Sequence, residues 1–259
     1  MSAPVRSVVE LSIAVEEPRQ RWLLEDQDVP ETPLHDAIIE LLMLVLKRWV
    51  EATGRSALVC SNLGCRWDPA DARVGTDPDV VLVEPCPPEG ELTKTLRVWE
   101  PGHAPPRVAV EVVSDQNPDK DYVDAPVRCA RLGAEELWVF DPTLAGPTYT
   151  GGPFLLQVFR REATAARARM VRTYAGPGPG FSDALGAWLV ATDGGTRLRL
   201  ATDPAGLEPW PTAREHERAE KERERAEKER ERAEKDRALA WAARLEDALR
   251  GAGRDPDDL

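Results

Sequence analysis

Cysteine is scarce in this chain of 259 residues: four copies (Cys60, Cys65, Cys86 and Cys129), none in a Cys-x-x-Cys pair. A disulfide framework is excluded at that density, and three scattered histidines (His35, His103 and His216) do not supply the ligands of a zinc site. The thiols are expected to be reduced and buried, as in a cytoplasmic protein. Long apolar runs are missing too. None approaches the ~20 residues of a membrane span, and residues 1–20 (MSAPVRSVVELSIAVEEPRQ) lack the uninterrupted apolar core of a signal peptide. Positive charge is in deficit, 34 Lys and Arg against 46 Asp and Glu, for a formal net charge of −12. The deficit sits before Thr212, where 21 basic residues face 31 acidic ones; from Thr212 onward 13 face 15. A surface of that sign is not drawn to nucleic acid as a whole. It argues against a tight non-specific DNA binder and leaves room for an enzyme with a locally positive cleft.

What the chain does have is one clear amphipathic helix followed by a series of short apolar strands. Leu34, Ile38, Leu42, Val45, Leu46 and Trp49 recur at three- and four-residue spacing, which predicts a helix over Pro33–Ala52. Thr32 is its candidate N-cap, Pro33 its first residue, and Gly54 its terminator. Strands are predicted at residues 8–14, 57–67, 80–83, 107–114, 137–141, 154–160 and 168–174, with a short helix at 124–132. Residues 187–192 and 197–201 form a hairpin across Asp193-Gly194-Gly195. The segment at 175–186 (AGPGPGFSDALG) reads as a loop. Runs such as VVLV and VAVEVV suggest strands buried on both faces. This order of elements predicts an α/β fold with a mixed β-sheet flanked by helices.

From Arg214 the composition changes. AEKERER repeats with a period of seven, bringing Ala219, Ala226, Ala233 and Ala240 into register. The second apolar position of each heptad is charged, so the repeat makes a poor coiled-coil seam. Glu217–Lys221, Glu224–Lys228 and Arg225–Glu229 stand at i,i+4 spacing, each contributing ~0.2–0.5 kcal/mol to a solvated helix. Only Leu239, Ala242, Leu245 and Leu249 offer an apolar stripe, the basis for a possible homo-oligomer through this helix. The chain thus divides into a domain at 1–211 and a charged helical extension at 212–259.

Two acidic residues stand out among the apolar strands. Asp79 opens the strand at 80–83 after a proline, and Glu111 lies inside the strand at 107–114, sharing a face with Ala109 and Val113. Buried carboxylates are costly without a positive partner. That partner is either an arginine such as Arg107 or Arg128, or a divalent cation, Mg²⁺ or Mn²⁺, held together with substrate phosphate oxygens. Glu40 stands off the apolar stripe of the first helix, where a solvated side chain is the ordinary outcome. His35 heads that helix, where a structural hydrogen bond is the ordinary role. Trp138 reads as core.

The ordered motifs PD (Pro78, Asp79), EVVS (Glu111, Val112, Ser114), Asp121 and GAEELWVFDP (Gly133, Glu136, Trp138, Asp141, Pro142) resemble the PD-(D/E)XK nuclease superfamily, and within it the Uma-type restriction endonuclease family. His35, the LGAWL segment at 185–189 and the charged C-terminal repeat resemble that family's usual features as well. The likeness runs from residue 8 to 211 and loosely into the tail. It implies a restriction-endonuclease-like fold and metal-dependent hydrolysis of phosphodiesters in DNA, with Asp79 and Glu111 as the ligands of Mg²⁺ or Mn²⁺.

The chain departs from that pattern at the cation. Counting from Asp121, the family's helix lysine falls at Ala125 and its helix tyrosine at Cys129, and the lysine of an E-x-K motif falls at Val113. Pro126 marks a helix start. The lysine in such chemistry orients water and balances charge on the phosphate, and loss of such a group costs orders of magnitude in rate. Lys120, in the polar segment DQNPDKD where solvation is the ordinary outcome, and Arg128, about one turn beyond Ala125, are the candidate replacements. Two functions follow: a metal-dependent DNA endonuclease, weakened by the missing helix lysine, with Asp79, Glu111, Lys120 and Arg128 as site residues, or a catalytically inactive nuclease fold serving as a binding or assembly module.

Overall fold

The structure is a computed structural model that describes residues 32–164 and 167–251. The strand expected at residues 8–14 lies outside the described residues. Helix α1 spans Pro33–Ala52, the bounds its flanking residues predict. Thr32, in extended conformation, accepts a hydrogen bond from the His35 N–H at 3.3 Å, and Pro33 takes a position where its missing N–H has no helical partner to lose. At the other end the Thr53 hydroxyl donates to the Trp49 carbonyl at 2.7 Å. Gly54 then leaves the helix at a φ of 64°, backbone that a side chain would strain. The predicted stripe of Ile38, Leu42, Val45, Leu46 and Trp49 is buried, each large side chain contributing ~1.5–3 kcal/mol.

The strands, in chain order, are β1 (Leu58–Ser61), β2 (Gly64–Arg66), β3 (Gly75–Thr76), β4 (Val80–Val83), β5 (Thr95–Arg97), β6 (Pro106–Val112), β7 (Glu136–Phe140), β8 (Leu156–Ala163), β9 (Ala168–Gly176), β10 (Gly180–Ser182), β11 (Ala187–Thr192) and β12 (Arg197–Ala201). Six of them form the main sheet in the order β1-β4-β6-β7-β8-β9. Only β6 and β7 run parallel in it. Helix α2 (Ala125–Leu132) lies in the connection between them. Side chains alternate across this sheet. Val80, Leu82, Val108, Val110, Val112, Trp138 and Phe140 pack towards α1 and the antiparallel sheet β10-β11-β12. Val81, Val83, Ala109, Leu137, Val139 and Phe159 pack towards Ala125, Cys129 and Leu132 of α2. The small sheet β3-β2-β5 joins that second core through Cys65 and Leu96. The mixed α/β fold predicted from the order of elements is therefore present, with Trp138 in its core.

Three local expectations need correction. The strand predicted at 57–67 is two strands, β1 and β2, broken where Asn62 adopts a φ of 51°; asparagine tolerates that conformation because its short polar side chain bonds locally. The loop predicted at 175–186 contains β10, which pairs with β11. The short helix predicted from 124 is preceded by a π-helical turn, Lys120–Asp124, in which the Ala125 N–H reaches the Lys120 carbonyl.

The four cysteines are free, Cys65 and Cys129 being buried. Helix α3 spans Ala213–Gly251. A reciprocal cap starts it: Glu215 N–H donates to Thr212 Oγ1 at 3.3 Å, and Thr212 N–H donates to Glu215 Oε2 at 2.7 Å. Glu215 also pairs with Arg199 at 2.7 Å, tying the first turn to β12; that bond, with the cap, holds the Glu215 carboxyl down at about 2. Beyond this turn α3 is solvated, with ion pairs Glu217–Lys221 and Glu224–Lys228 along it and Leu239, Trp241 and Leu245 exposed. No helix among the described residues is long and apolar enough to cross a membrane.

Candidate active site

Strand pairing brings the two sequence-selected carboxylates together. Strands β4 and β6 are antiparallel, with Val80 opposite Val110. One register step further lie Asp79 and Glu111. Opposed residues of antiparallel strands share a face, and the alternation of the core places that face on the α2 side. Asp79 is 5 % exposed and Glu111 0 %. The Asp79 carboxylate is fixed from two elements: Oδ2 accepts the Val112 N–H at 2.6 Å and lies 3.4 Å from His35 Nε2. His35 Nε2 also reaches the Val112 carbonyl at 3.1 Å, so the head of α1 is stitched to the end of β6. Glu40, by contrast, is exposed.

Glu111 is the unusual member. Among the described residues, neither of its oxygens has a hydrogen-bond partner. Its nearest positive charge is Lys120, whose Nζ lies 3.6 Å from Oε2 and 3.7 Å from Asp121 Oδ1. Burial pushes the Glu111 carboxyl well above the usual carboxylate range; the charge of Asp79 pushes it further and Lys120 pulls it back. Burial likewise pushes the Asp121 carboxyl up to about 6, opposed chiefly by Lys120. For Lys120 burial alone would lower the pKa, but Glu111, Asp121 and Asp79 outweigh it and raise the value. One half-exposed ammonium thus faces three clustered carboxylates, an arrangement with room for further positive charge. Among the described residues no group of three or more His, Cys, Asp or Glu side chains is arranged to hold a metal ion. The sequence-selected pair, Asp79 and Glu111, is a donor set of the size that suits Mg²⁺, which keeps several waters and binds through one or two protein carboxylates.

The four sequence-selected residues do not all meet. Asp79, Glu111 and Lys120 do. Arg128 is exposed and pairs with Asp124 at 3.5 Å. Arg107 pairs with Glu84 at 2.9 Å and donates to the Ala184 carbonyl at 2.8 Å. The ion pair of Glu111 is therefore with Lys120 rather than with either arginine. Lys120 escapes the solvated fate of a polar loop because it begins the π-helical turn. That turn holds one more residue than an α-helical turn, and it carries Lys120 and Asp121 to the sheet face. Ala125 and Cys129, at the positions of the resembling family's lysine and tyrosine, are instead buried in the α2 core.

A set of hydroxyl–carboxylate bonds, which no spacing in the sequence announces, fixes this turn. The Tyr122 hydroxyl donates to Asp141 Oδ2 at 2.8 Å and accepts the Phe154 N–H at 3.0 Å. Asp141 also accepts the N–H groups of Ala145 and Gly146, at 3.0 and 2.8 Å. Tyr149 donates to Asp119 at 2.6 Å and Thr143 to Asp115 at 2.5 Å. The loop after β7 therefore grips the lysine-bearing segment after β6 at three points. Gly146 is a glycine for a steric reason: a Cβ there would lie 2.1 Å from the Tyr122 ring. Glu136, the other acid of the GAEELWVFDP segment, is occupied by Trp138 Nε1, the Ser182 hydroxyl and the N–H groups of Asp183 and Ala184. A recess of about 420 Å³ opens beside the ends of β6 and β7, lined among others by His35, Val112, Ser114, Pro142 and Thr143.

Residues 20–164, more than half of the chain, match the family model Uma2, described as "Putative restriction endonuclease". The matched span contains Asp79, Glu111, Lys120, Asp121 and Asp141. Among solved structures, a putative nuclease from Anabaena variabilis belonging to DUF820 is similar at 16 % identity, covering 60 % of this chain and 75 % of that one with a TM-score of 0.40. No curated protein matches the chain. By its family match the chain belongs to the Uma2 family of putative restriction endonucleases.

Proposed function

We propose that this protein is a metal-dependent DNA endonuclease in which Lys120 does the work of the absent helix lysine. The observation that carries this reading is the ion pair of Lys120 with the fully buried Glu111, 3.6 Å apart, at the position opposite Asp79 one step beyond the Val80–Val110 pair. Asp79 and Glu111 would hold Mg²⁺ or Mn²⁺, which supplies Lewis-acid stabilisation of charge on a phosphoryl oxygen. The chain's own groups do the rest. His35 and the Val112 N–H hold the Asp79 carboxylate in one orientation. Lys120, a compact and half-exposed cation, orients a water molecule and balances negative charge as it develops on the phosphate. Tyr122, Tyr149 and Thr143 keep the lysine-bearing segment from swinging into solvent.

The test is nicking of supercoiled DNA with Mg²⁺ or Mn²⁺. Asp79→Ala and Glu111→Ala are expected to abolish it while the chain stays folded; wild-type rates in both variants would end the proposal. A second reading, a nuclease fold kept as a binding or assembly module, is favoured by the buried Ala125 and Cys129 where the resembling family carries lysine and tyrosine. It predicts no cleavage with either metal; a gain of cleavage in Ala125→Lys would show that the rest of the site is intact.

A further inference from the structure

One part of this acidic chain carries a local excess of positive charge. Helix α2 and the strands β8 and β9 with their connecting turn, residues 125–132 and 156–176, contain seven arginines and a single acid, Glu162. The remainder of residues 1–211 contains 14 basic and 30 acidic residues. These elements adjoin one another. Helix α2 packs against β9, and Arg161 Nε donates to the Ala130 carbonyl at 3.2 Å. Among the described residues, strand β9 is an edge of the main sheet. Three of the seven are neutralised, Arg128 by Asp124, Arg160 by Asp183 and Arg169 by Glu162. Arg131, Arg161, Arg167 and Arg172 have no carboxylate partner among the described residues, and Arg131 and Arg167 are exposed.

The direction of this face matters. Arg161 is in register with Met170, which packs into the α2-side core, and Arg172 stacks on Phe154 of the same core with its guanidinium 4.9 Å from the ring centre. Arg161, Arg172 and the α2 residue Arg131 therefore lie on the side of the sheet that carries Glu111 and Lys120, with Arg167 in the turn at its end. This charge begins where the π-helical turn ends and extends along ~12 Å of α2 to the sheet edge. Guanidinium groups match phosphate oxygens in a fixed two-point geometry. An acidic protein with one such strip repels a polyanion everywhere else, which selects a single orientation as well as a single place.

We propose that α2 and the β8–β9 hairpin form the surface that holds the phosphate backbone of duplex DNA and leads it to Glu111 and Lys120. This rests on the nuclease reading above for its partner. The experiment uses the full chain, a short fluorescent DNA duplex and EDTA, so that binding is read without cleavage, across a series of salt concentrations. The double variant Arg131→Glu with Arg167→Glu is expected to weaken binding at least tenfold and to flatten the log–log salt dependence by ~0.9 for each phosphate that the protein no longer neutralises. Both sites are exposed, and an unchanged melting temperature confirms folding. Lys47→Glu, at an exposed residue of α1 on the other side of the main sheet, is expected to leave binding unchanged. Wild-type affinity and slope in the double variant would overturn the proposal and leave the arginines as guards of an edge strand. Loss of binding to phosphatidylglycerol vesicles with no DNA binding by the wild type would also overturn it. The two readings fail separately. Arginine-dependent binding without cleavage in Mg²⁺ or Mn²⁺ keeps the face and removes the nuclease, whereas cleavage with arginine-independent binding does the reverse.

Discussion

Lys120 reaches Glu111, at 3.6 Å, from the first residue of a π-helical turn, five positions ahead of the place where the resembling family carries its helix lysine. The relationship changes how the buried carboxylate is understood. Among the described residues Glu111 has no hydrogen bond to either oxygen, so the ion pair and any added cation offset the cost of its full burial.

The first consequence is a pH dependence of stability. Asp121 titrates at about 6 when folded, against an ordinary 3.8. The folded chain therefore binds more protons than the unfolded one between about pH 4 and 6, and stability falls as pH rises through that window. Glu111, raised in the same direction, adds to the fall. Asp121→Asn is expected to be the more stable protein at pH 7.5 in EDTA, by on the order of 2 kcal/mol, with the gain gone near pH 4. Urea unfolding at the two pH values measures it; a variant less stable than wild type at pH 7.5 would contradict the account.

Added metal should reverse that penalty. A divalent ion that binds the folded site and not the unfolded chain raises the melting temperature with concentration. Mg²⁺ or Mn²⁺ is expected to stabilise the wild type more at pH 8 than at pH 5, because protonated carboxyls do not bind metal. Glu111→Gln should lose most of the shift. Equal shifts in variant and wild type, read by differential scanning fluorimetry, would show that the ion binds elsewhere.

The grip on the lysine-bearing turn makes a third prediction. Tyr122→Phe removes a hydroxyl that serves Asp141 and the Phe154 N–H, and is expected to cost about 1–3 kcal/mol. Gly146→Ala should cost at least as much, since its Cβ would meet the Tyr122 ring. Combining Gly146→Ala with Tyr122→Phe should not relieve the clash, because the ring remains, whereas Tyr122→Ala should. Chemical denaturation of the four variants checks this. Tyr149→Phe, at a 72 % exposed residue, should leave stability near wild type.

Much of this fold was legible because local signals agreed. Thr32, Pro33 and Gly54 delimit α1, and the apolar runs read as strands at 80–83 and 107–114 correspond to the buried strands Val80–Val83 and Pro106–Val112. Asp79 and Glu111 were visible as acids among valines. What was not legible depends on residues distant in sequence. Glu136 and Asp141 stand out in their segment, but the role of Glu136 emerges only when Ser182, 46 positions away, lies against it. The π-helical turn has no periodicity of its own. Counting the resembling family's pattern from Asp121 therefore leads to Ala125, and leaves Lys120 as one of two candidate replacements with no sign of which reaches Glu111. The break at Asn62 is a backbone choice that a run of strand-forming residues conceals.

The central claim, that Lys120 supplies the cation of this site, is tested most directly by the nicking rate of Lys120→Ala on supercoiled DNA with Mn²⁺. The rate is expected to fall ~10²- to 10³-fold below wild type, the typical effect of removing one preorganised charge-stabilising group, and Ala125→Lys in the same chain is expected to restore part of it. A Lys120→Ala variant that nicks as fast as wild type would contradict the account.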